Sequence, residues 1–301
     1  MSESVGPLGP ARLSRTERRA RPTSARRGLS AALTRFFHTP KGTVFLLLSA
    51  LSFCAWTKLG DLVLPGLLSA ALTALLLDLV FTRFTQGRWV FPDGGLLSGL
   101  FVAMVLAPQA PAYVPPLTAA MALVSKHLLR TRWSNIFNPA ALALVVGALL
   151  LPAGQSWWGA LPDLSVLGLA LVGAAGWYIA ARVNKLPLVL AFLGTSLVIY
   201  TATAFAGHAL QVAEIFRAPD IQAMVFFACF MLTDPPTSPA AHGDQLWFGA
   251  VVAVASAVAF LALGALWFLA GGLLVGNLLE SLRRVWSAAR RKKRRSPTPT
   301  G

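Results

Sequence analysis

Two short stretches of this 301-residue chain place polar groups where they could act on a ligand. In the first, Lys126-His127 leads through Arg130, Thr131, Arg132, Trp133 and Ser134 into Asn135-Ile136-Phe137-Asn138-Pro139-Ala140. Asparagine is a strong helix N-cap, and proline fits the first helical turn because an N–H there would have no partner. A helix opening at Asn138-Pro139 points free N–H groups and the positive end of its dipole out of the loop before it. Such an end suits a phosphate, a carboxylate or the polar edge of a ring. The same residues would also serve a helix that simply starts there, with the cations doing no more than orienting it.

The second stretch runs from Asp220 to Pro239. Ile221 to Leu232 gives only twelve residues, all apolar but Gln222, before Thr233, Asp234 and three prolines, whereas a membrane-spanning helix needs about 20 and proline cannot continue a helix. A half-helix is the natural reading. Broken helices are tolerated in hydrocarbon only where protein or a polar cavity receives their ends, so the break marks a candidate site. Asp234, with Thr233 and Thr237, is the best polar cluster among these candidates, suited either to a ligand or to locking its own loop. The design recurs at Asp93 to Pro111, and Asp93 to Pro108 and Asp220 to Pro235 are both fifteen positions apart. Sliding the chain by 127 positions maps residues 43–152 onto 170–279, five apolar segments onto five. This reads as an internal repeat.

Asp78, in the second apolar segment, is an intramembrane acid and a proton or cation candidate by default; Arg83, a turn or two away, is its nearest charge in sequence. Asp93 and Asp220 open the two half-helices, where they either cap them or join Asp78 in an ion pathway. The histidines have no metal spacing, so no metal is expected. Cys54 and Cys229 lie inside apolar runs and suggest no disulfide framework. No hydrolase constellation or glycine-rich nucleotide fingerprint is present.

The elements that position these groups are set by lipid. With 56% hydrophobic and 12% charged residues and a mean hydropathy of +0.65, the chain is too apolar for a soluble domain. The net charge of +15 gathers in the tails, which the positive-inside rule explains without nucleic acid. The segments read as 43–58, 62–82, 94–107, 113–129 and 138–151, then 164–181, 186–206, 221–232, 246–262 and 264–282. This divides the chain into a disordered basic tail (1–41), a first five-segment repeat (42–152), an external linker (153–163), a second repeat (164–282) and a basic tail (283–301). No signal sequence is expected, and Arg26 to Phe37 could lie on anionic headgroups as an amphipathic helix. Ten crossings with both ends cytoplasmic leave only Lys58 and Arg217 of the 26 basic residues outside, an asymmetry that a wrong span number would destroy. Five segments per half forces the halves into opposite orientations. Trp157 and Trp158 are expected as interfacial anchors in the external linker, with His208 on the same side.

Asp93-Gly94-Gly95-Leu96-Leu97-Ser98-Gly99-Leu100, the Lys126 to Ala140 stretch ending Asn-Ile-Phe-Asn-Pro-Ala, and Phe230-Met231-Leu232-Thr233-Asp234-Pro235-Pro236-Thr237-Ser238 together resemble three signatures of the RnfD/NqrB family. These are flavin-carrying membrane subunits of the Rnf and sodium-translocating NADH:quinone oxidoreductase complexes. The resemblance covers roughly residues 43–282. It implies an all-α, inverted-repeat membrane protein of about ten segments, related in fold to urea-channel-type proteins, that holds flavin and passes electrons between partner membrane subunits as an ion moves. Its setting would be the bacterial inner membrane.

One departure matters. The family attaches FMN to a Thr of a Ser-Gly-Ala-Thr-like motif between the two halves, and here Pro152 to Asp163 contains no Thr. The one Ala-Thr pair, Ala202-Thr203, lacks the flanking residues. The expectation is therefore FMN or riboflavin held without a covalent bond. Asn135, Asn138, Pro139, Thr233, Asp234, Thr237 and Lys126 would contact it on the cytoplasmic side, with Phe137 or Trp133 stacked on its ring and Asp78, Asp93 and Asp220 along the ion pathway. The competing reading is a stand-alone transporter or channel for a small solute or flavin that kept the fold without the redox role.

Overall fold

The computed structural model describes residues 36–295 except 88, 90, 132 and 133, with side chains as far as 288. Arg88, Arg132, Trp133, the 1–35 part of the basic tail and most of the amphipathic stretch from Arg26 lie outside the described residues. Ten principal helices follow among those described: α1 (Pro40–Leu59), α2 (Leu64–Gln86), α3 (Asp93–Val105), α4 (Val114–Leu128), α5 (Pro139–Leu150), α6 (Ser165–Arg182), α7 (Leu186–Thr203), α8 (Asp220–Phe226), α9 (His242–Leu263) and α10 (Phe268–Arg295). No strand occurs among the described residues, where only two isolated bridges pair extended backbone. The protein is an all-α membrane protein. Among the described residues five helical stretches are long and apolar enough to cross a membrane: Pro40–Leu62, Leu64–Gln86, Trp158–Arg182, Leu186–Phe216 and His242–Leu263. Asp93–Val105, Pro139–Leu150 and Asp220–Met231 are apolar but short. α10 continues past residue 282, so the start of the basic C-terminal tail is helical.

Helix α2 shows how lipid and protein divide one helix. Leu68, Leu72, Leu76 and Val80, four apart, are exposed, while Ala70, Ala74, Asp78 and Thr82, also four apart, are buried. Residues four apart share a helix face. In a bilayer the outward face is satisfied by bulky apolar side chains, and small or polar residues turn toward other helices. Against that inner face pack α3 and α4, and α4 also packs on α5. In the second half α9 packs on α7 and α10, and α8 packs on α6. α1 lies against α6 and α5 against α10, joining the halves. α8 runs on as a widened turn through Met231, where the Leu232 N–H donates to Phe227 O, five residues back, at 2.9 Å.

Trp157 and Trp158 are not interfacial anchors. They are 6% and 3% exposed, and the Trp158 indole N–H donates to Ala103 O at 2.7 Å. The reason is the shortness of α3: its last carbonyls end inside the protein and need donors there. Trp158 supplies one, and the Ser156 and Trp157 N–H groups donate to Val105 O at 2.9 and 3.1 Å.

Gly99 is what lets α3 lie against α2. A Cβ at Gly99 would meet Ala70 O at 2.7 Å and Ala74 Cβ at 2.8 Å, whereas one at Gly173 in α6 would meet nothing within 4 Å. Gly99→Ala is therefore expected to cost about 1–3 kcal/mol of stability, and Gly173→Ala to be neutral or to gain up to about 1 kcal/mol from helix propensity. Thermal unfolding of both variants in detergent checks this, and equal losses at the two positions would contradict the packing.

Candidate functional site

The N-termini of α3 and α5 and the far end of α8 meet around one cavity of about 550 Å³. Six of the seven ligand candidates, Lys126, Asn135, Asn138, Pro139, Thr233 and Asp234, line it, together with Asp93. Thr237 lies just behind, 3% exposed, its hydroxyl donating to Asp234 Oδ2 at 3.0 Å. Val44, Leu97, Phe101, Ile179, Val183 and Phe230 supply the apolar wall. Phe101 and Phe230, rather than Phe137, are its aromatic side chains, and both pack around Phe226 at ring-centroid distances of 6.3 and 5.1 Å. Pro40 and Lys41, which the sequence reading assigns to the end of the N-terminal tail, belong to α1 and line the cavity too.

Each helix end at the cavity has its own local solution. Asn138 caps α5 with its Oδ1 accepting from Ala141 N–H at 3.0 Å, and Pro139 takes the first turn. At α3 the Gly94 N–H donates to its neighbour Asp93 Oδ1 at 2.6 Å, and Gly95 N–H donates to Asp78 Oδ2 at 2.9 Å. Asp93 also pairs with Lys41 at 2.9 Å across the cavity's more exposed side. Asp78 does not pair with Arg83, whose guanidinium lies over the Trp89 ring, 5.7 Å from its centroid. Its partners are Lys126 Nζ at 2.7 Å and His127 Nε2 at 2.8 Å. Both cavity lysines are thus engaged by carboxylates.

The loop after α8 is held from three sides. Thr233 donates to Cys229 O at 2.7 Å, while Ser238 donates to Asp234 O through its hydroxyl at 2.8 Å and its N–H at 3.0 Å. Asn277 of α10, 1% exposed, accepts from Asn138 N–H at 2.8 Å and donates to Thr237 O at 3.2 Å, so one amide ties the two motifs together. Lys185 donates to Ser238 O and Pro239 O, and Arg284, held by buried Glu280, donates to Ser238 O at 3.1 Å. Burial first, and then the Arg284 guanidinium, lowers the Lys185 ammonium from its ordinary value. Burial likewise pushes the Asp234 carboxyl up to about 6, against the opposing pull of the Thr237 hydroxyl and of Lys41, Lys126 and Lys185. Sequence reasoning misses Asn277, Lys185, Glu280 and Arg284. An ionisable or amide residue inside an apolar helical run is the signal that could have found them, and Asn277 and Glu280 meet it.

Asp220 is not part of this assembly. It opens α8 at the opposite end, next to a separate pocket of about 530 Å³ lined by Gln109, Gln155, Ser156, Trp158, Asp163 and Pro219 among others. Thr203 donates to Ile199 O at 2.9 Å within α7 and does not line the cavity.

No protein-family model matches the chain. Three curated relatives share one description, the D subunit of an ion-translocating oxidoreductase complex. That of Rhodobacter capsulatus is 40% identical over 68 residues, 22% of this chain and 19% of its own length. That of Vibrio vulnificus is 29% identical over 115 residues, 38% and 32% of the two chains. That of Stutzerimonas stutzeri is 34% identical over 98 residues, 32% and 26%. The chain therefore matches no more than about a third of these relatives' length.

Asp234 makes a pH test available. Its folded-state pKa, about 6, lies above the ordinary 3.8, so the folded state holds a proton that the unfolded state has released between those values. Stability from this group is full below about 4 and is lost as pH rises through about 6. Asp234→Asn removes the dependence, so the difference in unfolding temperature between wild type and variant should shift in the variant's favour from pH 4 to pH 7. A pH-independent difference would contradict the raised Asp234 carboxyl.

Proposed function

We propose that this chain is a multi-pass inner-membrane subunit of an ion-translocating oxidoreductase, working beside other membrane electron-transport subunits, and that the cavity at the helix ends holds a flavin without a covalent bond. The observation that carries the reading is that residues from three motifs far apart in sequence line one cavity. The description shared by the three relatives supports the same class.

The residues present fit the group. A cavity of about 550 Å³ falls within the roughly 300–1,000 Å³ of small-molecule sites, which combine apolar walls with a few convergent polar groups. Phe101 and Phe230 offer faces for a planar ring, while Asn135, Asn138 and Thr233 offer donors and acceptors to its polar edge. Lys41 and Lys126 are already paired, so a terminal phosphate would have to compete for them, which favours riboflavin over FMN. The absence of Thr from residues 152–163 and the internal bond of Thr203 argue against a phosphoester. A flavin supplies one- and two-electron transfer when bound; the side chains here bind it, orient it and exclude water from its ring.

The same reading takes the architecture as ten crossings in two inverted five-helix repeats with both termini cytoplasmic. The 127-position offset carries α1 to α6, α3 to α8 and α5 to α10. A two-fold between halves would place equivalent helices against each other, and the packing of α1 on α6 and α5 on α10 supports it. A solute channel is the second reading, favoured by the polar pocket at the opposite end of α3.

Titration of detergent-purified protein with riboflavin is expected to quench the flavin's fluorescence, and acid precipitation to release the flavin to the supernatant. Asp234→Asn and Asn138→Ala should accumulate in the membrane yet weaken binding about tenfold, the equivalent of roughly 1.4 kcal/mol. Colourless protein without quenching would favour the channel, and colour in the acid pellet would show a covalent bond. For topology, on a Cys54→Ser background, Pro152→Cys should react with an impermeant thiol reagent on intact cells and Ala241→Cys should not; the reverse pattern would overturn the orientation.

A further inference from the structure

Asp78 is 4% exposed, and both its oxygens are taken by donors: Oδ2 by Lys126 Nζ and Gly95 N–H, Oδ1 by His127 Nε2. The His127 side chain is 9% exposed, its ring stacked on Phe81 at 4.7 Å, and its Nδ1 has no hydrogen-bond partner. The charges around the node are placed as follows among the described residues. On α3, Asp93 is held by Lys41 of α1. Asp234, in the loop after α8, faces the field of Lys126, Lys41 and Lys185. On α2 itself, Arg83 lies over Trp89.

This donor set suits a proton and not a metal cation. A hard cation takes about six or more oxygen ligands, whereas Asp78 is enclosed by three nitrogen donors. No cluster of three or more His, Cys, Asp or Glu able to hold a metal occurs among the described residues. A proton needs a single lone pair, and both a carboxylate oxygen and the unpartnered Nδ1 offer one.

Lys126 faces two ways. Its ammonium bonds Asp78, while its side chain, 21% exposed, stands on the cavity wall with Asp234. Gly94 leaves room for it there, since a Cβ would come within 3.0 Å of Nζ. We infer that Asp78, Lys126 and His127 form a proton-binding node in the membrane, and that Lys126 links the node's proton content to the charge in the cavity. An anionic occupant draws the ammonium toward itself. The Asp78 carboxylate, deprived of its cation, then takes one proton from solvent, forming one O–H bond with no electron transferred. Linkage is reciprocal, so the anion binds more tightly as pH falls. A neutral occupant leaves Lys126 on Asp78, and no proton moves. The link rests on the cavity being a ligand site; the node does not.

The test is calorimetric titration of the full chain in nanodiscs, in two buffers of different ionisation enthalpy. The probes are riboflavin, which is neutral, and a flavin bearing an N10 sulfoalkyl chain, whose negative charge is fixed. The wild type should take up protons on binding the sulfonate probe, more of them as pH falls toward about 5, and none with riboflavin. That uptake should vanish in Lys126→Gln and Asp78→Asn, and should not change when sodium replaces potassium. Equal proton traffic with both probes, or uptake that survives Lys126→Gln, overturns the link. If neither probe binds, the cavity reading fails and the node is decided separately by infrared spectroscopy. The protonated-carboxyl band should emerge at higher pH in Lys126→Gln than in wild type, and identical pH dependence in the two proteins overturns the node. Lys126→Gln alone is sufficient if Asp78→Asn does not accumulate.

Discussion

A helix that ends inside a membrane protein leaves up to four backbone N–H or C=O groups without helical partners, and lipid offers none. Each such group left unpaired costs several kcal/mol. Among the described residues Asp93–Val105, Pro139–Leu150 and Asp220–Met231 are apolar helices too short to cross a bilayer, and the polar residues of the interior are largely explained by the ends of those helices. Asp78 answers the start of α3, Trp158 and the 156–157 backbone answer its end, Asn138 answers the start of α5, and Thr233 answers a carbonyl near the end of α8. The loop that follows α8 is in turn held by Asn277, Lys185 and Arg284.

The same requirement creates the cavity. Helix ends cannot pack as closely as helix sides, and three of them meet between α1, α4 and α6, leaving a space with an apolar wall and a polar rim. Single residues there both hold the fold and line the cavity. Asn138 Oδ1 caps α5, yet the residue lines the cavity; Asp234 locks its loop through Thr237 and Ser238, yet its carboxyl lies at the cavity's edge. Substitutions at these positions must therefore be judged by stability and by binding together.

Much of this is legible in the sequence because lipid makes patterns strong. The half-helices at Asp93 and Asp220 stand out as apolar runs that are too short, and Asn138-Pro139 as a cap, and the helices begin within a few residues of where those patterns place them. What is not legible depends on partners distant in sequence. Trp157 and Trp158 read as surface anchors because an indole suits an interface as well as a core, and only the nearness of Ala103 O decides between them. Asp78 has Arg83 close in sequence, but its side-chain partners are 48 and 49 residues away. Asn277 reads as an isolated amide until its contacts with Asn138 and Thr237, 139 and 40 residues away, are seen. Asp220 shares Asp93's motif position but starts its helix at the other end, where Ala218 and Pro219 line the second pocket.

The central claim is that flavin occupies the space between α3, α5 and the end of α8. Photo-crosslinking with an azido-flavin, followed by peptide mapping, locates the ligand directly. The account predicts adducts on the Leu97–Phe101 and Phe230–Pro236 peptides that excess riboflavin abolishes. Adducts confined to the Gln155–Asp163 peptide, or labelling that excess riboflavin does not displace, would contradict it.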